Sequence, residues 1–210
     1  MIKKCRISED KDLIPILDLG LQPLANSLKK NIDDKEQLFP LSISFSKKSS
    51  LVQLDYTVDK EKLFNEYLWV TGTSKQAKEY SKLFFENITG NIKLNNEDLI
   101  IEIASNDGTF LKPFLDSGYL NILGVDPAIN IVNIAKQNNI NTLAQYWNLE
   151  TSQKIKREKG NAKLIFARNV IPHVSELDQV MLGIYNILDN EGTGVIEFHY
   201  AGKILSELHY

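Results

Sequence analysis

The sequence predicts an α/β protein: an open, mostly parallel sheet with helices on both faces, preceded by a small β-rich module. Three observations carry this. From residue 97 onward, short apolar runs alternate with stripes of helical period, the pattern of a covered parallel sheet. The run Leu99-Ile100-Ile101-Glu102-Ile103 ends in the acidic, small-residue turn Ala104-Ser105-Asn106-Asp107-Gly108, and Phe110, Leu111, Phe114 and Leu115 follow at helical spacing. Residues 1–60 have a different texture, with brief alternating runs and many turn formers.

Within residues 1–60, the segment 18–27 reads as irregular and turn-rich. Leu41–Phe45 and Leu51–Tyr56 read as strands flanking the polar turn Ser46–Ser50. Such a module is too small for a substantial core of its own. A connector over 61–95 carries the stripe Ala77, Tyr80, Phe84, Ile88, a helix ended by Gly90. The larger domain, 96–210, begins with strand 99–104 and a helix near 108–117. Strand 121–125 and a helix over 128–138 (Ile131, Ile134, Ala135) come next. A strand near 140–145 precedes the basic helix 149–159, and strand 163–167 follows. Helix 175–188 presents Leu177, Val180, Met181, Ile184, Tyr185 and Leu188 on one face, and strand 194–198 succeeds it.

With 43% of its 210 residues hydrophobic, the chain can bury one good core plus a small appendage. A net charge of -3 gives no basic surplus, which argues against a nucleic-acid partner. No apolar run approaches membrane-spanning length and the N-terminus lacks a signal-peptide core, so a cytoplasmic protein without a membrane partner is expected. The lone Cys5 excludes an internal disulfide and any multi-cysteine metal site.

A strand–turn–helix of the 99–115 kind directs backbone N–H groups and carboxylates at a ligand beside the sheet's carboxyl edge. Eighteen residues beyond Gly108, strand 121–125 ends in Asp126, placed to accept hydrogen bonds from two ribose hydroxyls. A nucleoside cofactor follows. Dinucleotide folds need three turn glycines for the backbone to approach a pyrophosphate, whereas this turn has Gly108 alone, behind Asp107. A carboxylate there repels phosphate and suits an ammonium group. The expected cofactor is therefore S-adenosylmethionine, with S-adenosylhomocysteine as product; a nicotinamide dinucleotide is the alternative. A tight hairpin at Asp107-Gly108 would instead require alternating apolar residues after the turn, and the paired spacing disfavours it.

Six segments resemble the S-adenosylmethionine-dependent methyltransferases related to the sugar C-methyltransferases of deoxysugar pathways. They are Asp18–Asn26, Leu51–Leu54, Tyr67–Ser74, Glu102–Gly108, Gly124–Pro127 and Asn169–Val174, in the family's order across nearly the whole chain. The resemblance implies a zinc-binding N-terminal module, a Rossmann-like cofactor domain and a further C-terminal region. It also implies departures. The family's two Cys-x-x-Cys pairs stand here as Cys5-Arg6-Ile7-Ser8 and Ser46-Lys47-Lys48-Ser49. Serine hydroxyls are poor zinc ligands at neutral pH, so no structural metal is expected and the module must be held by packing. A Tyr-His-Glu-His segment supplies catalytic groups in relatives, and Leu208-His209-Tyr210 reaches only to where it would begin, so a C-terminally incomplete sheet is expected. An open edge after strand 194–198 favours a homo-oligomer. Trp69 stands where many relatives have a substrate-facing tyrosine.

Carried over residue by residue, the resemblance implies that Glu102, Ala104, Ser105, Asn106, Asp107 and Gly108 surround the amino-acid end of the cofactor. N–H groups of the turn meet the carboxylate, and Asp107 or a backbone carbonyl meets the ammonium. Asp126 holds the ribose with Pro127 rigidifying its turn, and Asn169 touches the cofactor through its amide; Tyr146 or Trp147, just past the third strand, either flanks the adenine or packs in the core. His173, on the loop after the fourth strand, is the candidate base, since histidine accepts a proton near neutral pH; His199 and His209 are weaker candidates. Glu197 faces the site or alternates outward. The expected substrate is a sugar nucleotide or related small molecule of surface-polysaccharide biosynthesis. The alternative is a cofactor-binding chain, a fragment or partner subunit, that lacks the catalytic segment.

Overall fold

The computed structural model describes residues 2–29, 31–64 and 67–207. The chain divides into two compact units, Met1–Leu68 and Trp69–Tyr210.

Unit 1 is built on a three-stranded antiparallel sheet in the order β1-β2-β3, with β1 Leu13–Pro23, β2 Leu38–Ser46 and β3 Leu51–Leu54, followed by the short helix α1 Lys60–Phe64. The segment from Asp18 to Pro23, expected to be irregular, belongs to β1. Its turn residues are absorbed as register shifts between Pro15 and Leu17 and between Asp18 and Leu21, with Gly20 at φ +69. Bulges let a strand carry glycine and proline without losing its ladder. The interior is unusually polar: Ser42, Ser44, Ser46, Gln53 and Asp55 are all buried. Packing alone does not hold it. Ser42 donates to Asp55 at 3.0 Å, Arg6 N–H donates to the Gln53 side-chain oxygen at 2.9 Å, and the Gln53 amide donates to Lys4 C=O at 3.2 Å.

Unit 2 opens with a 3-10 turn at Thr71–Thr73 and helix α2, Lys75–Asn91, whose N-cap Ser74 accepts from Ala77 N–H at 3.2 Å. The alternation that follows is β4 Leu99–Ile103, α3 Lys112–Asp116, β5 Ile122–Val125, α4 Ile129–Gln137, β6 Thr142–Leu143, α5 Leu149–Lys159, β7 Ala162–Arg168, α6 Leu177–Ile187, β8 Leu188–Glu197 and α7 Ala201–Glu207. The strands form one five-stranded sheet in the order β6-β5-β4-β7-β8, and every pairing is parallel. Successive strands run outward from β4 in one direction and then, from β7, in the other. The carboxyl ends of β4 and β7 are thus the topological switch point, where open α/β sheets hold their ligands.

The period-2 alternation of β4 divides the core. Leu99, Ile101 and Ile103 pack with Leu123, Trp147, Ile155, Ile165, Ile184 and Ile187 on one face. Ile100 packs on the other with Phe84, Phe110, Phe114, Leu164 and Phe166. Three elements differ from expectation. α3 starts at Lys112 rather than near 108, because the preceding residues are taken up by turns and Pro113 sits in its first turn. β6 has two residues, and β8 begins six residues earlier than its apolar stretch, crossing Asp189-Asn190-Glu191-Gly192 by a register shift opposite Ala162 and Leu164. The basic run is the last turn of α5, where Lys156, Arg157 and Lys159 face the negative end of the helix dipole before Gly160. Among the described residues no helix is long and apolar enough to cross a membrane.

Candidate functional site

β4 and β5 run in register, Ile103 opposite Val125, so their tips lie side by side. Ala104 and Ser105 N–H both donate to Val125 C=O, at 2.8 and 3.3 Å. The turn then reverses sharply, with Ala104 at φ +54, Asn106 at φ +50 and Gly108 at φ +79. Left-handed backbone suits glycine and is tolerated by asparagine, but it strains Ala104. Asp126 joins the tips: one carboxylate oxygen accepts from Asn106 N–H at 2.9 Å and the other from Ala128 N–H at 2.9 Å, across the half-buried Pro127. Burial pushes the Asp126 carboxyl up, and these two bonds oppose the rise. A side chain at Gly108 would place its Cβ 2.6 Å from Ile140, in addition to the φ penalty. Gly108→Ala is therefore expected to lower the unfolding free energy by about 2–3 kcal/mol in a urea titration.

The expectation that turn N–H groups meet a ligand carboxylate has less room than the sequence suggested. Those of Ala104, Ser105, Asn106 and Gly108 are bonded within the fold. Asp107 is likewise committed. One oxygen accepts from Gly72 N–H at 2.9 Å, and the other from the Thr109 hydroxyl at 2.7 Å. Asn106 accepts from Thr71 N–H and donates to Trp69 C=O, both at 2.9 Å. The segment 69–72 is thereby fastened onto the turn. Gly72 is required there, because a Cβ would come 2.5 Å from the Asp107 carboxylate.

Two polar atoms beneath the turn have no partner: Glu102 Oε2 and Ser105 Oγ are buried and unbonded. Native interiors rarely leave such atoms unmatched, so these two call for a partner such as water or a ligand. Burial pushes the Glu102 carboxyl well up; Asp126 and Asp107 add to this, and Arg168 opposes it. The folded chain thus holds a proton on Glu102 that the unfolded chain releases above the ordinary carboxylate range. Stability is then fully present at acid pH and declines as pH rises from the unfolded value toward the folded one. Glu102→Gln keeps the shape without the proton. It is expected to be more stable than wild type by about 1–2 kcal/mol at pH 7 but not at pH 4, read by urea unfolding at both.

At the neighbouring tips of β7 and β8 the structure assembles a cluster that sequence reasoning missed. Arg168 bonds Glu197, at 2.8 Å through its terminal nitrogen, and its guanidinium lies 3.3 Å from the Phe110 ring centroid. Tyr80 donates to Glu197 at 2.7 Å, and the Asn169 amide reaches the same carboxylate at 3.4 Å. Glu197 therefore faces inward, and although burial raises its carboxyl, the bonds from Arg168, Tyr80 and Asn169 bring it below its ordinary value. Asn169 is left-handed at φ +52, with its N–H on Glu197 C=O at 2.7 Å. The available signal was Arg168 itself, a cation closing the apolar run Leu164–Ala167 at the switch point.

His173 lies exposed in the 3-10 turn Ile171–His173. Partial desolvation and the nearby His199 hold its imidazole below the ordinary value. His209 lies outside the described residues. Of the two candidate aromatics, Trp147 belongs to the core, with its indole N–H on Val180 C=O at 3.2 Å, while Tyr146 is half-buried beyond β6.

In unit 1, Cys5 is buried and its sulfur lies 3.1 Å from Ser49 Oγ. Burial raises the thiol, but the hydroxyls of Ser49 and Ser8 and the N–H groups of Ser8 and Ile7 bring it down to about 6. Zinc requires thiolates, imidazoles or carboxylates. One thiol among three serines does not fit it, and the described residues contain no group of three His, Cys, Asp or Glu able to hold a metal.

Comparison with known proteins adds the lineage. Residues 5–64 match a family described as a putative zinc binding domain, and residues 101–196 match one described as a methyltransferase domain. The chain is 27% identical over 206 residues to the C-methyltransferase NovU of Streptomyces niveus, covering 97% of this chain and 49% of that protein. It thus spans about half the length of the curated relative. Among solved structures, the PH0226 protein of Pyrococcus horikoshii superposes with a TM-score of 0.53 at 16% identity, over 73% of this chain and 67% of that one. A SAM-dependent methyltransferase of Anabaena variabilis gives 0.45 at 22% identity, over 54% and 50%. The parallel sheet thus lies almost entirely within the part of the chain that matches a methyltransferase domain, and the module before it in sequence within the part that matches a putative zinc binding domain; the chain as a whole is similar to a C-methyltransferase.

Proposed function

We propose that this chain binds S-adenosylmethionine at the tips of β4 and β5 and takes part in methyl transfer to a small molecule, a sugar nucleotide or a related compound. The observation that carries the reading is the bond from Asn106 N–H to Asp126, which couples the acidic turn to the lone aspartate of the next strand. The residues there fit the cofactor. The unpartnered Glu102 and Ser105 atoms offer buried polar contacts, and Asp126 keeps lone pairs for ribose hydroxyls. Bound S-adenosylmethionine supplies a methyl group on a sulfonium, open to in-line displacement.

This chain's own residues orient the partners. The segment 69–72, fastened to Asn106 and Asp107, holds the turn in one shape, so the reacting groups meet without reorganising it. Asn169, held by Glu197 at the end of β7, is the residue whose amide we assign to the cofactor. His173, kept neutral at physiological pH by its lowered value, is the group suited to take a proton from the acceptor. The carbohydrate class of the acceptor is our inference from kinship with a C-methyltransferase. A second copy pairing along the outer edge of β8 is part of the same proposal.

Calorimetric titration with S-adenosylhomocysteine and, separately, with NAD tests the cofactor. Micromolar binding of the first alone is expected; binding of NAD alone would overturn the assignment. The second reading is a cofactor-binding unit without turnover, since the coupled turn and aspartate serve binding alone. It predicts an intact titration with no methylated product.

A further inference from the structure

The surroundings of Cys5 have a form their present residues do not need. Two turns of identical spacing, Cys5–Ser8 and Ser46–Ser49, each run into a left-handed residue that is not glycine, Glu9 at φ +58 and Ser50 at φ +57. Each of these conformations is strained for a side chain. The N–H groups of Ile7 and Ser8 point at the Cys5 sulfur, at 3.5 and 3.4 Å, the donor pattern that supports a metal-bound thiolate. Ser49 closes on the same sulfur at 3.1 Å. Ser46 opens the turn that Ser49 ends; it is 0% exposed, and its hydroxyl has no partner. The hydroxyl of Ser8 is likewise buried without one in hydrogen-bond geometry. A buried hydroxyl left unbonded costs about 1–3 kcal/mol. Ordinary core packing would replace these serines by alanine.

We infer that Cys5, Ser8, Ser46 and Ser49 outline a four-ligand metal cradle that has lost three of its thiolates, so that unit 1 folds without zinc and regains a zinc site when the three serines become cysteines. The x-x spacing in both turns is that of tetrahedral Cys₄ centres. Serine is the nearest isostere of cysteine, which explains why the backbone has kept its course while the ligand chemistry has gone. The reading concerns unit 1 and is independent of methyl transfer.

The test uses the whole chain, in wild type and as the variant S8C/S46C/S49C. Metal analysis of the variant purified with zinc should give about one equivalent per chain, and cobalt substitution should give the thiolate charge-transfer absorption of a tetrahedral site. The thermal midpoint of the variant should fall on adding EDTA, whereas that of wild type should not move. Stoichiometric zinc in wild type, or a wild-type midpoint lowered by EDTA, would overturn the inference. So would a variant that takes up neither metal or fails to fold in the presence of zinc. A variant folded with zinc and unfolded without it would support the inference, since structural zinc sites supply folding energy directly.

Discussion

Asp126→Ala is expected to weaken S-adenosylhomocysteine binding at least tenfold in a calorimetric titration. The carboxylate has two duties that alanine abolishes together. It accepts from Asn106 N–H and Ala128 N–H, each at 2.9 Å, and so holds the β4 turn against the β5 tip. In the proposed complex its remaining lone pairs would accept from two ribose hydroxyls, and such charge-assisted bonds are the stronger kind. The two buried N–H groups would also lose their acceptor, so the unfolding free energy should fall by about 2–3 kcal/mol. Asp126→Asn separates the effects, since the amide oxygen restores one acceptor without the charge. It should recover part of the stability while affinity stays low. Unchanged affinity in the alanine variant would place the ribose elsewhere.

The second large effect belongs to Arg168. Arg168→Met keeps an unbranched apolar stem against the Phe110 ring but leaves the Glu197 carboxylate without its cation. The pair is partly buried, with side-chain exposures of 12% and 29%. The loss should therefore be smaller than for a fully enclosed pair, about 2–3 kcal/mol in urea unfolding. The double variant R168M/E197Q should regain more than half of that loss, because no uncompensated charge remains. A loss below about 0.5 kcal/mol in the single variant would mean that the pair behaves as an exposed one. Tyr80 and Asn169 share the same carboxylate, so the variant should also disturb the loop leading to His173.

Much of this architecture could be read from the chain. The apolar run Leu99-Ile100-Ile101 announced a strand of a sheet covered on both faces, and the stripe Ala77, Tyr80, Phe84 and Ile88 announced helix α2. The coupling of turn and aspartate was legible because parallel strands place their carboxyl tips together. Other features were not, because they arise from contacts distant in sequence. The Tyr80–Glu197 bond joins residues 117 positions apart, and no local pattern marks it. β1 was obscured because Gly20 and Pro23 speak locally for turns, while pairing with β2 takes up Gly20 within a register shift and Pro23 as the last residue of the strand. The commitment of Asp107 to Gly72 and Thr109 was equally hidden, since an acidic residue in a turn looks the same whether it awaits a ligand or anchors a neighbouring segment.

The fastening of Trp69 to Asn106 gives the chain a built-in optical gauge. Of its two indoles, one is enclosed among aliphatic side chains beneath the sheet. The other stands 57% open to water on the segment whose carbonyl receives the Asn106 amide. Emission from the enclosed indole registers the integrity of the interior, whereas that of the open one registers any displacement of the acidic bend. Red-edge excitation favours the open indole over the enclosed one, so the acidic bend can be followed apart from the body of the fold, without a label.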